Sequence, residues 1–187
     1  MPQPRRRWAF FPRSVISDHD NPAAHLYRAM ARKIMDIDDE VRFYEERANP
    51  WLRNMLLEQG AAGFRSFQEN HPHITYVTYE RREGHRLAEW LTLALATVDI
   101  VVVDYDVPHI IQQWIGELTR PRLHTFLIDP EGGLPLGEGA PDFLPYYRGI
   151  CVSRTGNLPA GLHDSQYLIN FGPALPEPGQ NGSALRH

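Results

Sequence analysis

Two short acidic stretches hold the residue types best suited to acid–base work on a hydroxyl-bearing ligand. In SDHDNP, Asp18, His19 and Asp20 stand between an apolar run and an Asn21-Pro22 helix start. In DYDVPH, Asp104, Asp106 and His109 follow the β-branched run Ile100 to Val103. A carboxylate or imidazole can take the proton from an attacking hydroxyl, and carboxylates accept hydrogen bonds from sugar hydroxyls. Two other readings stay open. Asp18 and Asp20 can serve only the partial positive charge of a helix N-terminus, with Asp104 and Asp106 ending a strand. Mixed Asp and His side chains can also hold a divalent metal, but no HExxH spacing supports this. His71-Pro72-His73 is the nearest approach to a ligand pair and leads into a strand, so no metal is expected.

Strands and helices alternate around these stretches. Trp8 to Phe11 is a short apolar strand. Asn21 is a helix cap with Pro22 in the first turn, where a missing N–H costs nothing. Leu26, Met30, Ile34 and Ile37 then form one buried stripe at helical spacing. Glu40 to Tyr44 alternates as a strand, and a helical stretch from Trp51 to Glu69 is broken near Gly60 and Gly63. Ile74 to Tyr79 has strand composition. Leu87, Trp90, Leu91, Ala94, Leu95 and Val98 predict the cleanest amphipathic helix. Ile100 to Val103 has the uniform apolar character of a central parallel strand covered on both faces. Ile110, Ile111, Trp114, Ile115 and Leu118 predict another helix, followed by strands over Arg122–Ile128, Ile150–Ser153 and Tyr167–Phe171.

This alternation predicts a doubly wound α/β domain with a mainly parallel, Rossmann-like sheet over residues 1–171, and a disordered Pro/Gly/Ser-rich tail over 172–187. Ligands of such sheets sit beyond the carboxyl ends of the strands where strand order reverses. With the order 3-2-1-4-5, that point falls between the first and fourth strands, and Asp18, His19, Asp20, Asp104, Asp106 and His109 converge there. Asp129 to Pro141 (DPEGGLPLGEGAP) is a glycine- and proline-rich loop after a strand, either a cover over a site or a surface excursion without a role.

Composition narrows the classes further. The chain has 187 residues, 42% hydrophobic and 22% charged, with a net charge of −4 and a pI near 6.1. That balance argues against a general nucleic-acid or anionic-membrane surface. Arg5-Arg6-Arg7 reads as a solvated flank of the first strand. No stretch approaches the roughly 20 apolar residues of a membrane span. The single cysteine, Cys151, lies in an apolar run and excludes an internal disulfide, so a cytoplasmic location is expected. Neither GxGxxG nor GxxxxGK[ST] occurs, so no nucleotide cofactor bound in the usual way is expected. No GxSxG turn is present either. A neutral, hydroxyl-rich ligand fits the acidic turn better than a nucleotide.

The segments HLYRAMARKI, EVRFYEERANPWLRN, VDIVVVDYDVPH and LHTFLIDPEGG occur in an order that resembles the N-terminal half of bacterial two-Rossmann (GT-B) glycosyltransferases, especially the spore-maturation CgeB-like group. The similarity runs from about residue 8 to 171. It implies an acceptor-side half whose catalytic base lies on loops near the first or fourth strand, pointing to Asp18, His19, Asp20 and Asp106, with Asp129 in the place of a D-x-D-T-P-like turn. It also implies a separate donor-binding domain or subunit, without which catalysis is not expected. In this chain the glycine usual before the second strand is replaced by Asp36-Ile37-Asp38-Asp39. The competing expectation is a non-catalytic α/β binding or assembly module that self-associates through exposed aromatic surface.

Overall fold

The computed structural model describes residues 4–16, 21–81, 85–119, 123–135 and 139–153, and the backbone of 167–170. The expected tail lies outside these residues. The strands are β1 (Arg7–Phe11), β2 (Glu40–Glu46), β3 (Thr75–Tyr79), β4 (Ile100–Asp104), β5 (His124–Asp129), β6 (Gly149–Val152) and β7 (Tyr167–Asn170). The helices are α1 (Pro22–Met35), α2 (Pro50–Gln59), α3 (Ala61–Asn70), α4 (His85–Leu95) and α5 (His109–Thr119). The seven strands form one sheet in the order β3-β2-β1-β4-β5-β6-β7. Every pairing is parallel. Strand order therefore reverses between β1 and β4, as expected for a doubly wound α/β fold.

Both faces of the sheet are packed. Ala9, Phe11, Val101 and Val103 face one layer with Leu87, Leu91 and Leu95 of α4 and Ile111 and Ile115 of α5. Phe10 and Val102 face the other with Ala23, Tyr27, Ala31 and Ile34 of α1. All five residues of β4 are buried, which is why its sequence lacks the alternation of a half-exposed strand. An aromatic group locks β1, β2, β3 and α4 together. Phe11 stacks on Tyr44 with centroids 5.1 Å apart, Tyr79 stacks on Trp90 at 4.6 Å, and Trp90 meets Tyr44 edge-on at 5.9 Å.

Local chemistry accounts for the element ends. Gly60 separates α2 from α3 at φ 56°, a left-handed conformation that favours glycine. Asn49 caps α2 by accepting from the Leu52 amide at 2.7 Å. Asn21 occupies the N-cap position of α1 but makes no side-chain cap. Its amide group donates back to the Ser14 carbonyl at 3.2 Å, closing the loop after β1. The expected stripe on α1 also needs correcting. Ile37 lies past the helix end and is 60% exposed, and the inner face is completed by small Ala23, Ala24 and Ala31, which let α1 approach the sheet. At the turn into β2, Asp38 takes φ 66°, a left-handed conformation that aspartate tolerates better than most non-glycine residues. The N-terminal arginines are half-exposed and each has a partner: Arg5 with Glu40, Arg6 with Asp39 and Arg7 with Asp99.

Two substitutions test this packing by chemical denaturation. Leu91→Ala should cost about 2–5 kcal/mol, as deletion of a fully buried leucine does. Gly116→Ala on α5 should also destabilise, although alanine is the better helix former by about 1 kcal/mol. The added Cβ would stand 2.7 Å from the Tyr146 Cβ, and overpacking of that kind costs about 1–3 kcal/mol.

Candidate functional site

The carboxyl ends of β1, β2, β4 and β5 meet at the switch point, and the loop after β1 runs across them. Two buried carboxylates hold that loop from opposite sides. Glu45 of β2 accepts from the Ser14 hydroxyl at 2.8 Å, the Val15 amide at 3.0 Å and the Asn49 side chain at 2.8 Å. Asp104 at the end of β4 accepts from the Arg13 amide at 3.3 Å, the Tyr27 hydroxyl at 2.6 Å and the Asp106 amide at 2.8 Å. The amides of Arg13 and Val15 in this loop are thus satisfied by carboxylate oxygens and not by a phosphate.

Arg13 lies at the centre of this edge, with its side chain only 6% exposed. Its Nη1 donates to Asp106 at 2.7 Å, its Nη2 bonds to Glu131, and its guanidinium carbon lies 4.9 Å from the centroid of the Trp51 ring. Asp106 and Glu131 are half-exposed and form the solvent side of the group. Burial disfavours the Arg13 charge, but Glu131, Asp104 and Asp106 outweigh it and raise the pKa. Asp106 is raised by burial and by the charges of Glu131 and Asp129, against the pull of Arg13. The edge as a whole is acidic.

Of the residues expected from the sequence, Asp104, Asp106 and Asp129 come together at the ends of the adjacent strands β4 and β5. Asp104 and Asp129 are committed to backbone. The Asp129 carboxylate accepts the amides of Gly132, Gly133 and Leu134 at 2.9, 3.1 and 2.7 Å, winding the glycine-rich segment over the end of β5, with Gly132 at φ 74°. His109 begins α5, exposed, with its ring 5.7 Å from Phe143 and 6.1 Å from Tyr105. Asp18, His19 and Asp20 lie outside the described residues, between Ile16 and Asn21. Among the described residues no group of three or more His, Cys, Asp or Glu side chains could hold a metal ion. No described helix is long and apolar enough to cross a membrane.

Sequence reasoning missed Arg13, Tyr27, Glu45, Trp51 and Glu131. Two signals could have found some of them. Glu45-Glu46 directly continues the Phe43-Tyr44 end of a strand, and Arg13 comes two residues after the apolar run Trp8 to Phe11. A charge retained in such a position needs a buried partner.

No protein-family model matches the chain, and no curated protein matches it. Fold and site together define a class: an all-parallel, doubly wound α/β domain with an acidic switch point built around a buried arginine.

The Asp104 carboxyl gives this site a pH signature. Burial raises its pKa to about 6 from 3.8, against the hydrogen bonds from Tyr27 and the Asp106 amide. Because the folded value exceeds the unfolded one, the contribution to stability is complete below pH 3.8 and is lost as pH rises through 6. A shift of this size corresponds to about 3 kcal/mol. Denaturation curves should therefore show the wild type losing about 2–3 kcal/mol relative to Asp104→Asn between pH 4 and 7. Parallel pH profiles for the two proteins would contradict a buried, titrating Asp104.

Proposed function

We propose that the chain is a glycosyltransferase-like Rossmann unit, corresponding to the acceptor side of a two-Rossmann enzyme. In this reading a sugar or other hydroxyl-bearing acceptor lies over the crevice between β1 and β4, and a separate donor-binding domain or subunit supplies the nucleotide-sugar. The supporting observation is the chemistry of the switch point. A phosphate-binding turn offers several unpaired backbone amides, whereas here the amides of Arg13 and Val15 are already taken by Asp104 and Glu45. The solvent side instead offers the carboxylates of Asp106 and Glu131, which accept hydrogen bonds. Hydroxyl groups complement such an edge, whereas the several charges of a nucleotide diphosphate would be added to carboxylates already there. The loop that crosses it also contains Asp18, His19 and Asp20, which we assign as the proton acceptors for the attacking hydroxyl.

Calorimetry and saturation-transfer NMR on the full chain test this assignment. UDP- and GDP-sugars should give no micromolar binding, while neutral mono- or oligosaccharides should bind weakly, at about millimolar Kd (near −4 kcal/mol). Asp20→Asn and Asp106→Asn should each weaken that binding. Asp20→Asn should change stability by no more than about 1 kcal/mol, since asparagine serves a helix N-terminus as well as aspartate does. A micromolar nucleotide-sugar signal would place the chain on the donor side. A complete lack of saccharide binding would favour the non-catalytic assembly module.

A further inference from the structure

The guanidinium of Arg13 is only partly used. Its five N–H donors lie in one plane, and Nε–H and one Nη2–H point the same way from its side edge, as the two prongs of a fork that fits a planar oxyanion. Glu131 bonds Nη2, one of the two nitrogens of that fork. The other prong, Nε, is buried and has no hydrogen-bond partner among the described residues. A buried donor without a partner carries a desolvation cost that a better-placed acceptor would remove. Asp106 does not compete for this edge, because it bonds Nη1 at the end of the group.

The residue that half-fills the fork is also the one most readily exchanged. Asp104 and Asp106 belong to the end of β4 and its turn, and Trp51 belongs to α2. Glu131, by contrast, comes from the glycine-rich segment after β5, and its side chain is 49% exposed. Replacing its carboxylate by another carboxylate leaves the number of charges around Arg13 unchanged, and a phosphate adds at most about one. The acidity of the edge therefore does not oppose such an exchange, as it would oppose an added anion.

We infer that Glu131 is an internal stand-in for an oxyanion on the ligand, and that the Nε/Nη2 edge of Arg13 receives a carboxylate or phosphate of the acceptor by a two-pronged hydrogen bond. This rests on the reading that the acceptor lies at the switch point, and it narrows the acceptor from any hydroxyl-rich molecule to one that also bears an oxyanion, such as a sugar acid or sugar phosphate. The Trp51 ring on which the guanidinium lies, and the buried surroundings of Arg13, hold the fork in place before the ligand arrives.

The test uses the full chain with D-glucuronate, D-glucose and inorganic phosphate as probes, and reads the ratio of glucuronate to glucose affinity together with the Arg Nε–H resonances. Glucuronate should bind more tightly than glucose and move the Arg13 Nε–H signal downfield. Glu131→Gln, which removes the competing charge, should raise the ratio by roughly threefold or more, since charge-assisted pairs outweigh neutral ones. Arg13→Lys keeps the charge without the fork and should bring the ratio to about one. Phosphate that displaces glucuronate at lower concentration would identify the oxyanion as a phosphate, and the reverse would identify a carboxylate. Glucose binding with a ratio near one in both wild type and Glu131→Gln would overturn the inference and leave the acceptor-side reading standing. Failure of all three probes with the wild type and Glu131→Gln would overturn both.

Discussion

The loop between β1 and α1 depends on two carboxylates that reach it from the strands on either side. Glu45 of β2 and Asp104 of β4 together bond the Ser14 hydroxyl and the amides of Arg13 and Val15. Both acids are buried, and burial raises both pKa values. Such groups are tolerable only because their oxygens are saturated with donors. The chain thereby gives up the glycine-rich, amide-lined turn of a phosphate-binding Rossmann fold. It gains a loop whose described residues are held by carboxylates at the Arg13 and Val15 amides and the Ser14 hydroxyl.

That exchange makes the arginine central. Arg13 is carried on the pinned loop, so its guanidinium is positioned by the same hydrogen bonds that hold the backbone. Asp106 then fixes one end of it and the Trp51 ring covers its face. The electrostatics are mutual, since Arg13 moderates the repulsion among Asp104, Asp106 and Glu131 while they keep it charged. Removing Arg13 would leave the three carboxylates uncompensated at a partly buried edge, a costlier change than the loss of a solvated surface ion pair.

Much of the fold was legible in the sequence because its signals are collective. The β-branched run at Ile100–Val103 and the helical spacing of Leu87, Leu91 and Leu95 each repeat one message over several residues, and the order 3-2-1-4-5 assumed for a doubly wound sheet is contained in the one found. The errors came where a single residue decides. Ile37 continued the periodicity of α1, but the helix ends at Met35, so Ile37 falls in a turn. The second strand runs through Glu45 and Glu46, which apolar patterning reads as its end. The site was legible only as clustered acids at β4 and β5. Its arginine was not, because a buried charge is recognisable only with its partners, and Asp106 and Glu131 lie 93 and 118 residues away.

The position of β1 also bears on how the chain is made. β1 leaves the ribosome before both of the strands, β2 and β4, between which it ends up, and 92 residues separate Arg7 from the Asp99 it bonds. Until β4 is synthesised, Trp8 to Phe11 is an apolar ribbon with at most one edge occupied, the kind of segment on which nascent chains associate wrongly. Arg5, Arg6 and Arg7 sit directly before it. In the finished fold they bond Glu40, Asp39 and Asp99, and charges flanking an apolar strand are of the kind that disfavours its association while it is unpaired. The same three side chains fasten the strand on both sides once its neighbours have been made.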